Sequence, residues 1–209
     1  MLSRPLTIAT AVSILAVVYT ITSVSMGWQA KTSEQEAAVT FTVDSSHSTL
    51  TFRVRHMNVA YFHGRINKPA GNFTIDDADL AKSAVNIIVQ IANMDSGSDG
   101  RNLFLTGPQL FNATEFPTLE FHSTSIRKIS DATYEATGDF TMHGVTKSIT
   151  IPLAEYTTLQ TERMGHRAGF ECIFTVKQSE YGMNYAIEKG GLGDEVRITV
   201  AIEGVVKEG

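Results

Sequence analysis

Phe41-Thr42-Val43-Asp44-Ser45-Ser46-His47-Ser48-Thr49-Leu50-Thr51-Phe52-Arg53-Val54-Arg55-His56 is the stretch on which the fold turns. From Thr49 onward it alternates. Leu50, Phe52 and Val54 fall on one side, and Thr49, Thr51, Arg53 and Arg55 on the other. A period of two marks a strand with one dry face and one wet face. The break at Asp44 to Ser48 is turn chemistry, because Asp and Ser side chains satisfy nearby backbone groups. The stretch therefore predicts two neighbouring strands, Phe41–Val43 and Leu50–Val54, joined as a hairpin.

The same alternation recurs along the chain. It returns at Asn72–Ile75, and again at Val85, Ile87, Val89 and Ile91. Leu119 and Phe121 carry it after Pro117, and Phe170, Cys172, Phe174 and Val176 carry it later. Val196, Ile198, Val200 and Ile202 close the series. Tyr134–Met142 and Ser148–Leu153 flank His143-Gly144-Val145, a hairpin turn with glycine where a positive φ is easiest. Asp76–Leu80 predicts one helical turn, with acids suiting the start of a helix. Arg101–Asn112 breaks the rhythm: Leu103, Phe104, Leu105, Leu110 and Phe111 crowd around Gly107-Pro108. That segment predicts a short helix, a turn and an apolar plug. About eight strands with short connections and one or two short helices indicate an all-β, antiparallel sandwich or barrel. An eight-stranded barrel is just wide enough to hold a small ligand.

Composition narrows the function. The chain has 209 residues, 43% of them hydrophobic and 19% charged, which suits one globular domain. Its formal charge is −5 and it has no long basic run, so a nucleic-acid partner is not expected. Cys172 is the only cysteine, so no disulfide forms within the chain. It lies in an alternating strand and reads as a small buried apolar residue rather than a nucleophile. Residues 1–30 read as a secretory signal: Arg4, an apolar run from Leu6 to Ser25, and small residues Ser23 and Ser25. The run is long enough to span a bilayer, so an uncleaved N-terminal anchor is the alternative. Either way the domain is exported. Residues 31–38 read as a tether, and residues 39–209 as the folded domain.

The polar residues offer no catalytic or metal-binding pattern. The six histidines lack the His-x-His or His-x-x-x-His spacing that sets two imidazoles side by side. No Gly-x-Ser-x-Gly elbow is present, so the chain does not read as an enzyme. His47 is expected to bond to the turn backbone beside Asp44. His56 follows the inward parity of Val54 and is expected as a buried polar group at the end of a pocket. Arg101 opens the irregular segment, where its planar fork either braces the helix or meets a carbonyl or phosphate.

Four stretches resemble the YceI-like, polyisoprenoid-binding proteins of bacterial periplasms. Val43-Asp44-Ser45-Ser46-His47-Ser48 with Phe52 and His56 is similar to the family's opening motif. Gly71-Asn72-Phe73 is similar to its next strand start. Phe116-Pro117-Thr118-Leu119-Glu120-Phe121-His122-Ser123-Thr124 and Thr137 to Lys147 follow in the family's order. The resemblance runs from Val39 to about Val206. It implies an extended eight-stranded, lipocalin-like barrel in the periplasm, with a long isoprenoid chain in its bore. That ligand is a polyprenyl lipid or an isoprenoid quinone, held for carriage, storage or shielding, and no catalytic cofactor is implied. Exchange implies transient contact with a membrane or membrane protein; oligomeric state is left open. One departure stands out. The family's usual Arg-Asp-x-His-Leu is Arg101-Asn102-Leu103-Phe104-Leu105 here, which alters any headgroup contact made there.

The expected ligand-binding residues are the inward-facing Phe52, Val54, His56, Phe73, Phe121, Phe140, Met142, Phe170 and Phe174. Arg101, Asn102, Phe104, Leu105 and Phe111 join them as a lid across one end of the barrel. Two other readings compete: a packed barrel acting through its surface as an envelope stress or interaction module, and an enzyme acting on a bound quinone or lipid.

Overall fold

The computed structural model describes residues 38–206. The expected signal or anchor, and the tether apart from Ala38, lie outside the described residues. Among the described residues, eleven strands form one sheet. They are β1 (Thr40–Val43), β2 (Thr49–His56), β3 (Ala60–Ile66), β4 (Ala70–Thr74), β5 (Ala84–Gln90) and β6 (Met94–Asp95). After a helix, α1 (Asp99–Thr106), come β7 (Thr118–Ser130), β8 (Thr133–Met142), β9 (Val145–Thr161), β10 (Gly165–Lys177) and β11 (Leu192–Val205). Every pairing is antiparallel. The order β1-β4-β5-β7-β8-β9-β10-β11 returns to β1, which closes an eight-stranded barrel.

The opening stretch pairs differently from the hairpin that its sequence indicates. β1 and β2 do not bond to each other. Both run along one edge of β11: Val43 faces Gly204, and Thr49 faces Ala201. They are one strand interrupted at Asp44–Ser48. The interruption is stitched by side chain rather than by ladder. Ser48 Oγ donates to the Glu203 carbonyl at 3.1 Å and accepts from the Glu203 N–H at 3.0 Å. The Asp44 N–H donates to the same carbonyl at 2.8 Å. A sequence pattern reports which face of a strand is wet, not which edge finds a partner, so turn chemistry alone could not separate a hairpin from this break.

The break divides the barrel into two ends. On one side, β1 and β4 complete the ring. On the other, β2 continues along β11 and carries β3 and β6 as a wing. The β8–β9 hairpin matches expectation, with His143 at φ 51° and Gly144 at φ 74°. Those are the two left-handed residues that a tight hairpin turn requires. The helical turn expected at Asp76–Leu80 forms as a single 3₁₀ turn at Leu80–Lys82, capped by the Asp79 carboxylate on the Ala81 N–H.

The β1–β4 end is solid. Phe41 stacks on Phe73 with ring centres 5.3 Å apart, and Phe73 meets Phe170 edge-on at 5.0 Å. Phe73, Ala136, Leu153 and Tyr134 are all but inaccessible to solvent. Large side chains such as Phe73 and Leu153 each contribute about 1.5–3 kcal/mol by leaving water. Tyr134 also donates to Asp77 at 2.6 Å, and burial with that acceptor pushes its hydroxyl pKa up.

Candidate ligand-binding site

The opposite end holds a cavity of about 670 Å³. Three elements build its walls. β2 supplies Leu50, Phe52 and Val54, the dry face read from the sequence. β11 supplies Val196 and Ile198, which lie directly across from Val54 and Phe52. β3 supplies Phe62 and Ile66. Gly64 lies opposite Phe52, and a Cβ there would sit 2.5 Å from the Phe52 ring. The glycine is what lets the end of that ring come close against β3.

The helix and its following loop complete the enclosure. Arg101, Phe104 and Leu105 share one face of α1, at the spacing i, i+3, i+4, and all border the cavity. Leu110 and Phe111 follow from the loop. Asn102 is rotated off that face. Its Oδ1 accepts from the Ser96 N–H at 2.8 Å and from the Ser96 hydroxyl at 2.6 Å, so it braces the turn before the helix. Leu103, expected to be buried with the rest of the apolar plug, instead points away from the cavity and is 76% exposed, because it lies on the opposite side of α1 from Arg101, Phe104 and Leu105. Phe104 packs edge-on against Tyr185 at 5.1 Å, fastening the helix to the loop after β10.

Of the residues nominated from the sequence, Phe52, Val54, His56, Arg101, Phe104, Leu105, Phe111 and Met142 border this cavity. Phe121, Phe140, Phe170 and Phe174 lie deeper, around a second void of only about 40 Å³. Leu50 and Leu119 border both spaces and form the floor between them. Phe73 and Asn102 border neither. Inward parity is shared along a whole strand, so it nominates the packed half and the open half alike. His56 is exposed rather than buried, because β2 ends there at the mouth. Met183 and Tyr185 were missed, since they lie in a loop with no periodic signal. Val196 and Ile198 were legible as an apolar strand face but carried no mark of the cavity.

The lining chemistry is lopsided. Among the described residues its polar side chains are His56, Tyr61, Arg101, Gln178 and Tyr185, with no carboxylate, serine, threonine, cysteine or lysine. Gln178 is buried and donates to the Gly193 carbonyl at 2.7 Å. Arg101 stands over the Phe62 ring at 4.7 Å and its Nε donates to Ser96 Oγ at 3.3 Å. The result is an apolar chamber with a single fixed cation at its margin.

A second polar cluster lies at the strand break. His47 Nδ1 is 2.8 Å from Asp44 Oδ2, a side-chain partner rather than the backbone one expected. The Arg167 guanidinium touches both Asp44 and Glu203. The His47 hydrogen bond, then the Ser46 N–H and Arg167, hold the Asp44 carboxyl down to about 2. The same bond raises the His47 pKa. Asp44, His47 and Glu203 lie close enough to share a cation, and the arginine fills that role. Cys172 is buried, and burial pushes its thiol up to about 12.

Known proteins share this architecture. A domain described as YceI-like matches residues 41–204. A UPF0312 protein of Yersinia pestis (strain Pestoides F) is 29% identical over 188 residues, covering 89% of this chain and 96% of its own. Burkholderia cenocepacia BcnA superposes with a TM-score of 0.67 at 23% identity, covering 77% of this chain and 98% of its own. A structure described as a polyisoprenoid binding domain from Saccharophagus degradans gives a TM-score of 0.61 at 13% identity, covering 81% of this chain and 99% of its own. The family match spans most of the folded residues and the fold agrees with it: the chain belongs to the YceI-like family.

Proposed function

We propose that this protein is an exported carrier that holds the isoprenoid chain of a polyprenyl lipid or quinone inside the open half of its barrel. The observation that supports the reading is the chamber of about 670 Å³ with almost wholly apolar walls. An apolar cavity of ~150 Å³ stays dry and takes up a six-carbon ring, so this one accommodates on the order of 25 carbon atoms. Each methylene removed from water contributes about 0.8 kcal/mol, and a preformed chamber lowers the cost of ordering the chain. Arg101 and His56 at the margin are the groups placed to meet a polar head. With Asn102 turned to Ser96 and Phe104 apolar, Arg101 is the main headgroup contact the helix offers.

The lining supports binding rather than turnover. Nucleophilic chemistry needs a nucleophile beside a base, and among the described lining residues no serine, threonine, cysteine or lysine stands beside His56. The export expectation rests on residues 1–30, and cell fractionation with mass measurement of the mature N-terminus tests it. Ligand holding is tested by purifying the protein under native conditions and analysing an organic extract by mass spectrometry. An isoprenoid lipid is expected. Affinity for added prenyl chains should rise with length and level off near about 25 carbons. An empty extract, together with no binding of any prenyl chain, would defeat the proposal.

A further inference from the structure

We propose that the open end of the barrel docks on an anionic bilayer. Met57 and Val59 of the β2–β3 tip and Leu103 of α1 enter the headgroup layer, and Arg53, Arg55 and Arg197 bear on the anionic headgroups. The proposal rests on the lipid-holding reading above and adds where the lipid is exchanged.

Of the exposed large apolar side chains among the described residues, Met57, Val59, Tyr61, Leu103, Phe104 and Tyr185 lie around the mouth, and Ile129, Leu159, Met164 and Ile173 lie elsewhere. Met57 is 63% exposed, Val59 81% and Leu103 76%. Tyr61, Phe104 and Tyr185 complete the rim. The tip is unusual for a hairpin in water. Met57 and Asn58 both sit at positive φ, 51° and 56°, where Asn-Gly is the preferred pair. Met57 borders the chamber yet leaves most of its surface exposed, and Val59, two residues on, is exposed without bordering it. A bilayer interface gives both side chains somewhere dry to go. The apolar groups lie on three separate projections: a hairpin tip, a helix and a loop. A deformable lipid surface admits each projection independently.

Charge favours an anionic surface. Tyr61 borders the cavity and also a groove on the outer wall shared with Arg53 and Arg197. The guanidiniums of Arg53 and Arg55 stand over the Tyr61 ring at 4.3 and 4.9 Å. Among the described residues, none of Arg53, Arg55, Arg101 or Arg197 forms an ion pair. Glu195 in the groove and Asp99 and Glu188 near the mouth partly offset them. The chain as a whole carries −5, so a bilayer of negative lipids repels most of the molecule and attracts this end.

The test places an environment-sensitive fluorophore on the full chain at Val59→Cys or, as a control, at Leu159→Cys. Leu159 pairs near Arg167, ten residues along β10 from the mouth at Lys177, or about 33 Å away. Cys172 is 2% exposed with a raised pKa and stays unlabelled in the native fold. The leader is common to both labelled proteins, so its own membrane affinity cancels in the comparison. Phosphatidylglycerol-containing vesicles should shift the label at 59 to the blue and leave the label at 159 unchanged. Vesicles of phosphatidylcholine alone should give little shift at either. Changing Arg53, Arg55 and Arg197 to Gln should weaken vesicle binding about fivefold for each charge removed. A label at 59 that stays in water on every vesicle overturns the proposal and leaves the rim to a protein partner. Equal shifts at 59 and 159, or equal shifts on both vesicle types, also overturn it. Lipid in the organic extract with no shift at 59 sinks docking alone. A shift with an empty extract and no binding of any added prenyl chain supports docking and sinks the carrier reading.

Discussion

At the scale of single residues, His47 and Asp44 make a pH-dependent contact at the strand break. Asp44 has its pKa held below the ordinary 3.8, so its contribution is complete above that value and is lost as pH falls towards about 2. His47 has its pKa raised above the ordinary 6.5, so its contribution is complete below 6.5 and is lost as pH rises through the raised value. The charged pair is therefore intact between 3.8 and 6.5. His47→Ala should lower the melting temperature at a pH of about 5.5 and do so much less at about 9. The effect is small, since His47 is more than half exposed and water screens the pair. An equal loss at both pH values would show that packing, not charge, holds the break. Ser48 is the sturdier stitch, because its buried hydroxyl both donates to and accepts from Glu203.

At the scale of elements, α1 with its following loop is the piece that does not belong to the barrel wall. Its apolar residues follow helix spacing, and one face covers the chamber while Leu103 faces out. Phe104 is 38% exposed and contacts Tyr185, an edge-on aromatic pair worth about 0.5–1.5 kcal/mol. Phe104→Asp should therefore cost about 1 kcal/mol of stability while weakening lipid retention. Phe121 is 6% exposed and sits opposite Phe140 across the β7–β8 ladder. Phe121→Asp buries an unpaired carboxylate and should cost about 4 kcal/mol or unfold the domain. Urea denaturation with lipid extraction separates the two effects. If Phe104→Asp destabilises as much as Phe121→Asp, α1 is core and does not act as a lid.

At the scale of the whole molecule, the barrel is half core and half container. The packed β1–β4 end supplies the rigidity that lets the other end keep a chamber open without collapsing around it. A ligand held only by the folded state stabilises it by mass action. At a hundredfold excess over Kd that amounts to about 2.7 kcal/mol, or about 5–10 °C in Tm for a domain of this size. Delipidated protein should melt lower by that amount and recover on adding a prenyl lipid. Identical melting curves before and after delipidation would mean that the chamber does not hold its ligand in the native state.

The sequence alone determined most of the barrel strands and their faces, but not β3 and β6, which raise the expected eight or so strands to eleven among the described residues. Alternation at Leu50, Phe52 and Val54, and at Val196 through Ile202, reports burial directly, because each side chain in a strand must choose one of two sides. It also determined the β8–β9 turn, through the backbone freedom of Gly144, and the helix that breaks the alternation at Arg101. Only the tertiary structure decided that β1 and β2 share an edge of β11 instead of pairing together. Edge choice depends on partners more than a hundred residues away, which local chemistry does not encode. Only the tertiary structure decided which inward residues line a chamber. Phe52 and Phe170 share the same inward parity, yet Phe52 borders the chamber and Phe170 packs edge-on against Phe73. The difference lies in how many other side chains converge at each depth of the barrel. That number is set by strand stagger and by the break at Asp44–Ser48, so it is a property of the closed barrel and of no single stretch.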